Sequence, residues 1–242
     1  MSNRPPRIHA ACDLQVGTSF QLPDEAARHV QVLRMQPGDR LNLFNGMGGS
    51  HTARVVHMGK HTVDVEVLSL ETDEREAVCE THIALGMPAN ERMDWLVEKA
   101  TELGVAHLTP LSTQHTVLRL SGERALKRVA HWQGIAQAAC AQSGRNRVPQ
   151  IDAPLSLVDW LKSLPEAADH PRVLLSFQTG AHDWRSLWAT PPSKLTLLSG
   201  PEGGLSAEEE AWAVAKGFVP VQLGTRVLRA ETAPLAVLAQ LL

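Results

Sequence analysis

Leu198-Ser199-Gly200-Pro201-Glu202-Gly203-Gly204-Leu205-Ser206 joins a short apolar run, residues 194–198, to a helix-like segment. Its three glycines permit backbone conformations and close approaches denied to other residues. Ser206, with Glu209 three positions on, reads as an N-cap with a capping box. Gly217 reads as the cap at the other end of that helix. The plan repeats at Leu223-Gly224-Thr225-Arg226-Val227-Leu228-Arg229-Ala230-Glu231-Thr232-Ala233-Pro234. Residues 219–223 form the strand, Gly224 breaks it, and Thr232 is expected to cap a helix through Leu235, Leu238 and Leu242. Pro234 fits only the first turn of such a helix. Strands alternating with helices imply an open α/β sheet, in which ligands sit at the C-terminal strand ends. Two such turns so close together predict one pocket built from neighbouring loops. Read alone, residues 200–204 also fit a tight turn that holds no ligand. No G-x-x-x-x-G-K-[ST] is present and no G-x-G-x-x-G follows a strand, which argues against a P-loop and an ordinary dinucleotide fold. There is no G-x-S-x-G of an α/β-hydrolase either.

Working outward, the chain reads in two parts. Residues 1–72 are strand-like. Residues 40–44 alternate before the Asn45-Gly46 turn signal, and residues 53–57 and 62–68 continue the pattern of a small barrel. Residues 24–33 are the helical exception. The charged stretch 71–76, ETDERE, suits a linker. From about residue 78, strands alternate with helices. Met93, Leu96, Val97, Ala100 and Leu103 keep one helix face, closed by Gly104. Val129, Trp132, Ala136 and Cys140 do so less strictly on a second helix, and Ser156 with Asp159 opens a third. Residues 172–177 and 194–198 are strands.

With 242 residues, 43% hydrophobic and 20% charged, the composition is that of a globular chain with a sizeable core. Cys12, Cys79 and Cys140 are odd in number and widely spaced, which argues for a reducing compartment and against a disulfide framework. No secretory leader or membrane-spanning run is present, so a cytoplasmic protein with no membrane partner is expected. The net charge of −3 counts against a general nucleic-acid binder. Residues 115–150, however, carry Arg119, Arg124, Lys127, Arg128, Arg145 and Arg147 against Glu123 alone. Such a patch attracts phosphates. Arg124, Lys127 and Arg128 fit a solvated helix face as well, whereas Arg145 and Arg147 flank Asn146 in a loop where exposed guanidiniums could grip phosphates. Cys79-x-x-His82 lacks a second ligand pair at zinc spacing, and no metal is expected. Trp132, Trp160, Trp184, Trp188 and Trp212 are read as packing residues.

The two glycine turns, GPEGGLS and LGTRVLRAETAPL, together resemble the C-terminal signature of the RsmE family of 16S ribosomal RNA uridine-N3 methyltransferases, of the SPOUT class. Residues 87–105, MPANERMDWLVEKATELGV, are similar to the family's segment ending K-x-x-E-L-G-V. Residues 138–149, AACAQSGRNRVP, resemble its A-x-E-Q-x-x-R-N-x-x-P segment. Arg7-Ile8, residues 29–34 (HVQVLR) and Gly38-Asp39 match its N-terminal pattern. The matches run in order over nearly the whole chain.

The resemblance implies a PUA-like β-barrel for RNA in residues 1–72 and a SPOUT α/β trefoil-knot methyltransferase domain in 73–242. It implies S-adenosyl-L-methionine as cofactor, N3 of a uridine in 16S rRNA of the small ribosomal subunit as target, and a homodimer. The apolar helix 233–242 could supply interface area. Gly200, Gly203, Leu223, Gly224, Val227 and Leu228 are expected to bind the cofactor together with Glu202, and 176–180, with Ser176 and Phe177, to form a third cofactor loop. Arg226 or Arg229, positioned by Glu202 or Glu231, is expected to stabilise the uracil anion; an Arg–carboxylate network that merely fixes the loops is the alternative. Arg7, Arg34, Arg145 and Arg147 are expected RNA contacts. Two rivals remain: an RNA-binding assembly protein without catalysis, separable by cofactor binding, and an α/β enzyme using another nucleotide, which the missing G-x-G-x-x-G disfavours.

Overall fold

The computed structural model describes residues 5–89, 91–166 and 169–242; Asn90 of the 87–105 segment and residues 1–4 lie outside the described residues. Contacts divide the chain into two units, Met1–Glu76 with Gln137–Val148, and Ala77–Ala136 with Pro149–Leu242. The loop that carries Arg145 and Arg147 therefore packs with the N-terminal unit, although it lies far along the chain.

The first unit holds β1 (Arg7–His9), β2 (Ser19–Gln21), α1 (Asp24–Val32), β3 (Arg40–Phe44), β4 (Ser50–Met58) and β5 (Val63–Glu71). Its five-stranded sheet runs β1-β3-β4-β5-β2, antiparallel except for β1 beside β3. The alternation of 40–44 turns Leu41 and Leu43 inward. There they meet Ile8, Val55, Val63 and Val65 and the face of α1 carrying Ala26, Ala27 and Val30. Gly46 takes φ +86° after β3, a value glycine adopts without strain. The stretch 71–76 corrects the expectation of a free linker. Glu74 accepts a 2.6 Å hydrogen bond from the Gly49 N–H, and Glu76 pairs with Arg145.

The second unit holds β6 (Glu80–Gly86), α2 (Glu91–Glu102), β7 (His107–Ser112), α3 (Gly122–Ser143, whose residues from 137 count with the first unit), β8 (Gln150–Ile151), β9 (Leu155–Ser156), α4 (Leu157–Ser163), β10 (Arg172–Leu175), β11 (His182–Asp183), β12 (Lys194–Ser199), α5 (Ala207–Ala215), β13 (Val219–Gln222) and α6 (Thr232–Leu238). The sheet order is β11-β13-β10-β12-β6-β7-β8, every pair parallel. One face buries Ala84, Leu111, Leu174 and Leu198 against Leu157, Trp160 and Leu161 of α4, Ala213 of α5, and Phe218. The Ser206–Glu209 capping box is present, as is the Ser156 cap, which accepts from the Asp159 N–H.

Three expectations are corrected. β10 stops at Leu175, leaving Ser176 and Phe177 in the loop beyond it. Glu231, not Thr232, precedes α6, and it makes no side-chain cap. Pro234, Leu235, Val237 and Leu238 of α6 are buried within this chain, while Leu242 lies beyond the helix and is exposed. The apolar face proposed for a subunit interface is thus already used, in contact with α2 and β12. Among the described residues, no helix is long and apolar enough to cross a membrane.

Candidate functional site

β10 lies between β12 and β13, so the chain leaves β12 on one side of β10 and returns on the other. Such a change of direction opens a crevice outside the C-terminal strand ends. A cavity of about 710 Å³ fills it, walled by the loops after β10, β12 and β13. Ser176, Phe177, Gly200, Glu202, Gly203, Leu223, Arg226, Val227, Leu228 and Arg229 all line it, which brings together three loops that are separate in sequence. Gly224 and Glu231 are not among its walls. Gly224 sits at φ +117° and turns the chain.

Glycine at 200 is demanded by its own turn. A Cβ there would lie 2.7 Å from Gly204 C and from Leu205 N, both backbone atoms. Gly200→Val would therefore disrupt the turn itself and cannot isolate cofactor binding in a cooperatively folded protein. At Gly203 a Cβ would come within 2.9 Å of the His115 side chain.

The charge pairing differs from the expectation. Glu202 and Glu231 do not position Arg226 or Arg229; α2 brings Arg92 to them instead. Arg92 Nη1 lies 2.9 Å from Glu202 Oε1, and its Nε lies 4.0 Å from Glu231 Oε1. The Ala89 N–H donates to the same Glu202 oxygen at 3.0 Å. Partial burial pushes the Glu202 carboxyl up, but these donors outweigh it and hold it below the usual range. Glu231 is 8% exposed, and its Oε2 has no hydrogen-bond partner. Arg226 and Arg229 are exposed on the cavity rim and form no ion pair among the described residues. Arg92 stands inside the 87–105 motif, and that position was the one signal that could have singled it out. Glu210, also missed, lines the cavity with its carboxylate bonded to Ser176 Oγ at 2.8 Å. Burial raises its pKa, and the Ser176 hydrogen bond offsets part of that rise.

The four expected RNA contacts separate into held and open side chains. Arg7 donates from Nη1 to Asn42 Oδ1 at 3.2 Å, and from Nη2 to Arg145 O at 2.9 Å and Asn146 Oδ1 at 2.8 Å. Its guanidinium stacks over Phe44 at 4.9 Å. Arg145 is 3% exposed and ion-paired with Glu76, which corrects the expectation of an exposed guanidinium: the charged stretch 71–76 covers it. Arg147 leaves 57% of its side chain exposed, 4.0 Å from Glu74, and Arg34 is exposed at φ +56°. Within the second unit, Lys127 pairs with Glu123 and Arg128 lies 3.8 Å from Asp94, so the positive patch of the sequence is partly neutralised.

His82 finds partners that spacing along the chain could not reveal. His82, His107 and Asp152 place their donor atoms within 4.8 Å of one another. His107 Nε2 lies 2.8 Å from Asp152 Oδ2, Thr109 Oγ1 donates to that oxygen at 2.6 Å, and His82 Nε2 lies 2.8 Å from Thr109 Oγ1. Cys79 takes no part.

A crevice at a strand-order reversal, lined by glycine turns and rimmed by arginines, defines a small-molecule site in an α/β domain. Residues 74–242 match the model of the RNA methyltransferase domain family, and 22–68 that of the RNA methyltransferase PUA domain. The chain is 29% identical over 245 residues to ribosomal RNA small subunit methyltransferase E of Buchnera aphidicola (subsp. Schizaphis graminum), covering 100% of this chain and 97% of the relative. It is 34% identical to the Synechocystis protein of that name over 87% of this chain and 68% of the relative. A crystal structure of the Neisseria gonorrhoeae ribosomal RNA small subunit methyltransferase E bound to S-adenosyl methionine is similar throughout, with a TM-score of 0.91, 36% identity, and 98% of this chain and 96% of that chain covered. The chain belongs to the RsmE family, ribosomal RNA small subunit methyltransferase E. Its architecture is a PUA-like barrel with a SPOUT α/β trefoil-knot methyltransferase domain.

Proposed function

We propose that the protein transfers the methyl group of S-adenosylmethionine to N3 of a uridine in 16S rRNA of the small ribosomal subunit. The observation that carries this reading is the cavity at the β10–β12–β13 strand ends, in a chain so similar to a relative crystallised with that cofactor. The donor supplies an electrophilic methyl when bound; the protein supplies orientation and electrostatics.

The residues present fit it. Gly200 lets the turn after β12 close tightly at the cavity wall, Leu223, Val227 and Leu228 offer apolar contact, and Ser176 and Phe177 close the third side. Uracil N3–H is a poor nucleophile until deprotonated, and the resulting charge spreads over O2 and O4. Arg226 and Arg229, exposed on the rim without carboxylate partners, are the groups to hold that anion, since a preorganised donor acts most where charge develops. Arg92 fixes Glu202 and draws Glu231 towards it, which keeps these carboxylates from neutralising the rim arginines. N3 lies on the Watson–Crick edge, so the target must be unpaired or flipped out.

For RNA we assign direct contact to Arg147 and Arg34, and to Arg7 and Arg145 the task of holding the loop that presents Arg147. Residues 1–72 are taken as the RNA-binding domain and 73–242 as the methyltransferase domain. Cys12, Cys79 and Cys140 are all free thiols, which supports a cytoplasmic site of action. A homodimer is proposed from the family resemblance, with an interface other than the buried face of α6.

The test is single-turnover methylation of small subunits purified from cells lacking this protein, followed by mass spectrometry of the rRNA. Appearance of one N3-methyluridine is expected; a different modified base, or none with cofactor bound, would overturn the reading.

A further inference from the structure

We propose that Glu210 presents a carboxylate oxygen to a hydrogen-bond-donating group of the methyl donor, and that Ser176 holds the carboxylate in place. The inference rests on the reading of the cavity as the S-adenosylmethionine site.

Three successive glutamates open α5, and they differ in what they do. Glu208 is exposed. Glu209 spends both oxygens on backbone N–H groups, Oε2 on Ser206 at 2.9 Å and Oε1 on Gln114 at 2.7 Å. Glu210 serves neither the cap nor solvent. It is 9% exposed and lines the cavity. Its Oε2 accepts from Ser176 Oγ at 2.8 Å, and that hydroxyl accepts from the Gln178 N–H at 3.1 Å. Its Oε1 has no hydrogen-bond partner among the described residues and is not sealed off from solvent, on a side chain that lines the cavity. Among the described residues no cation pairs with Glu210: Arg92 is committed to Glu202, and Arg226 and Arg229 stand on the exposed rim.

A carboxylate taken out of water without a cation is costly unless its lone pairs are filled. The chain fills one side only. Its pKa is accordingly raised by burial, which the Ser176 hydrogen bond offsets in part. S-adenosylmethionine has donors of the right kind in its ribose hydroxyls and its ammonium group. The Ser176–Glu210 pair also ties the loop after β10 to α5, so the group that would read the donor also fixes one wall of the site.

Glu210→Gln separates charge from shape. Glutamine can still accept from Ser176 and fills the same volume, so a purely structural Glu210 predicts no change in cofactor affinity. The measurement is calorimetric Kd for S-adenosylmethionine in the full-length protein, with thermal melting as a check on folding. A rise of about tenfold is expected for Glu210→Gln, as for loss of one charge-assisted hydrogen bond, and a smaller rise for Ser176→Ala. Methylthioadenosine, which keeps the ribose but lacks the amino-acid chain, locates the contact. An equal loss with this probe assigns the ribose, and no loss assigns the ammonium; either supports the proposal. Wild-type affinity in folded Glu210→Gln would overturn it. If that variant fails to fold, Glu210→Asp, which withdraws the oxygen, must weaken binding or the proposal fails. Failure of the wild-type protein to bind S-adenosylmethionine would instead overturn the reading of the cavity.

Discussion

The two ends of the parallel sheet in the second unit are built from the same strands and do opposite things. At the C-terminal ends, β10, β12 and β13 open into a cavity whose polar groups are left partly unmet. Among the described residues Arg226 and Arg229 have no ion-pair partner, Glu210 keeps an open oxygen, and glycines replace side chains. At the N-terminal ends, polar groups satisfy one another. His82, Thr109, Asp152 and His107 form a continuous hydrogen-bonded set, and His170 Nε2 lies 2.8 Å from Thr196 Oγ1. Both ends hold a perturbed acid or base. Burial and the neighbouring His107 push His82 down to about 3, and burial pushes Glu210 up. A perturbed pKa therefore does not by itself mark a functional site. What separates the two ends is whether the chain supplies every partner or leaves one for a ligand.

The comparison breaks first at the open end. Arg226→Ala or Arg229→Ala should lower single-turnover methylation on the order of 100-fold, as loss of a preorganised donor does. Melting temperature and cofactor affinity should hold, because both side chains are exposed. Lysine should rescue poorly, since it offers a point charge without the planar fork. Near-normal rates in both alanine variants would remove these arginines from catalysis.

The closed end should respond in the other coin. Thr109→Val deletes the hydroxyl that bridges His82 to Asp152; Asp152 keeps His107, and the half-buried His82 Nε2 loses its partner at a cost of about 1 kcal/mol in unfolding free energy. Calorimetric Kd for S-adenosylmethionine should not move; a weakened Kd at unchanged stability would show the two ends to be coupled.

A pH series sharpens the same contrast. The folded-state value of His82 lies below that of a free histidine, so as pH falls from about 6.5 the unfolded chain takes up the proton first and stability drops. By pH 5 this amounts to about 2 kcal/mol. Denaturant unfolding at pH 7 and pH 5 should show that loss in the wild type and a smaller one in His82→Gln. Asp152, held well below the usual carboxylate range by donors that outweigh its burial, titrates only in stronger acid; His9 and His51, also lowered by burial, add their loss equally to both proteins, so the difference between the two reports His82. Equal slopes for the two proteins would mean that His82 is not the responsible group.

The smallest effect should come from outside both ends. Arg147→Ala should leave cofactor Kd unchanged and reduce the slope of log RNA affinity against log salt by about 1. An unaltered slope would make Arg147 part of the loop's framework with Arg7 and Arg145.

Much of this was legible along the chain because it is local. The alternation of residues 40–44, the helix face of Met93, Leu96, Val97 and Ala100, and the Ser206–Glu209 capping box depend on neighbours within a few positions. The two glycine turns announced a pocket for the same reason, since strand, break and cap are short-range signals. Partners brought in from other elements were not legible. Arg145 read as an exposed loop arginine until Glu76 covered it, and α6 read as a free apolar helix until α2 and β12 covered its face. Glu202 was matched to the arginines nearest the glycine turns, yet Arg92 reaches it from 110 positions away. Glu210, by its place along the chain, is one more charge in the first turn of a helix. Sequence alone thus determined the two-part plan, the α/β class of the second part and the location of its site at two strand ends, because secondary structure and turn chemistry are written in short windows. Tertiary structure alone decided which charges are spent on one another and which remain for a ligand. Hydrogen-bond and ion-pair partners are chosen by proximity in space, and folding sets that without regard to distance along the chain.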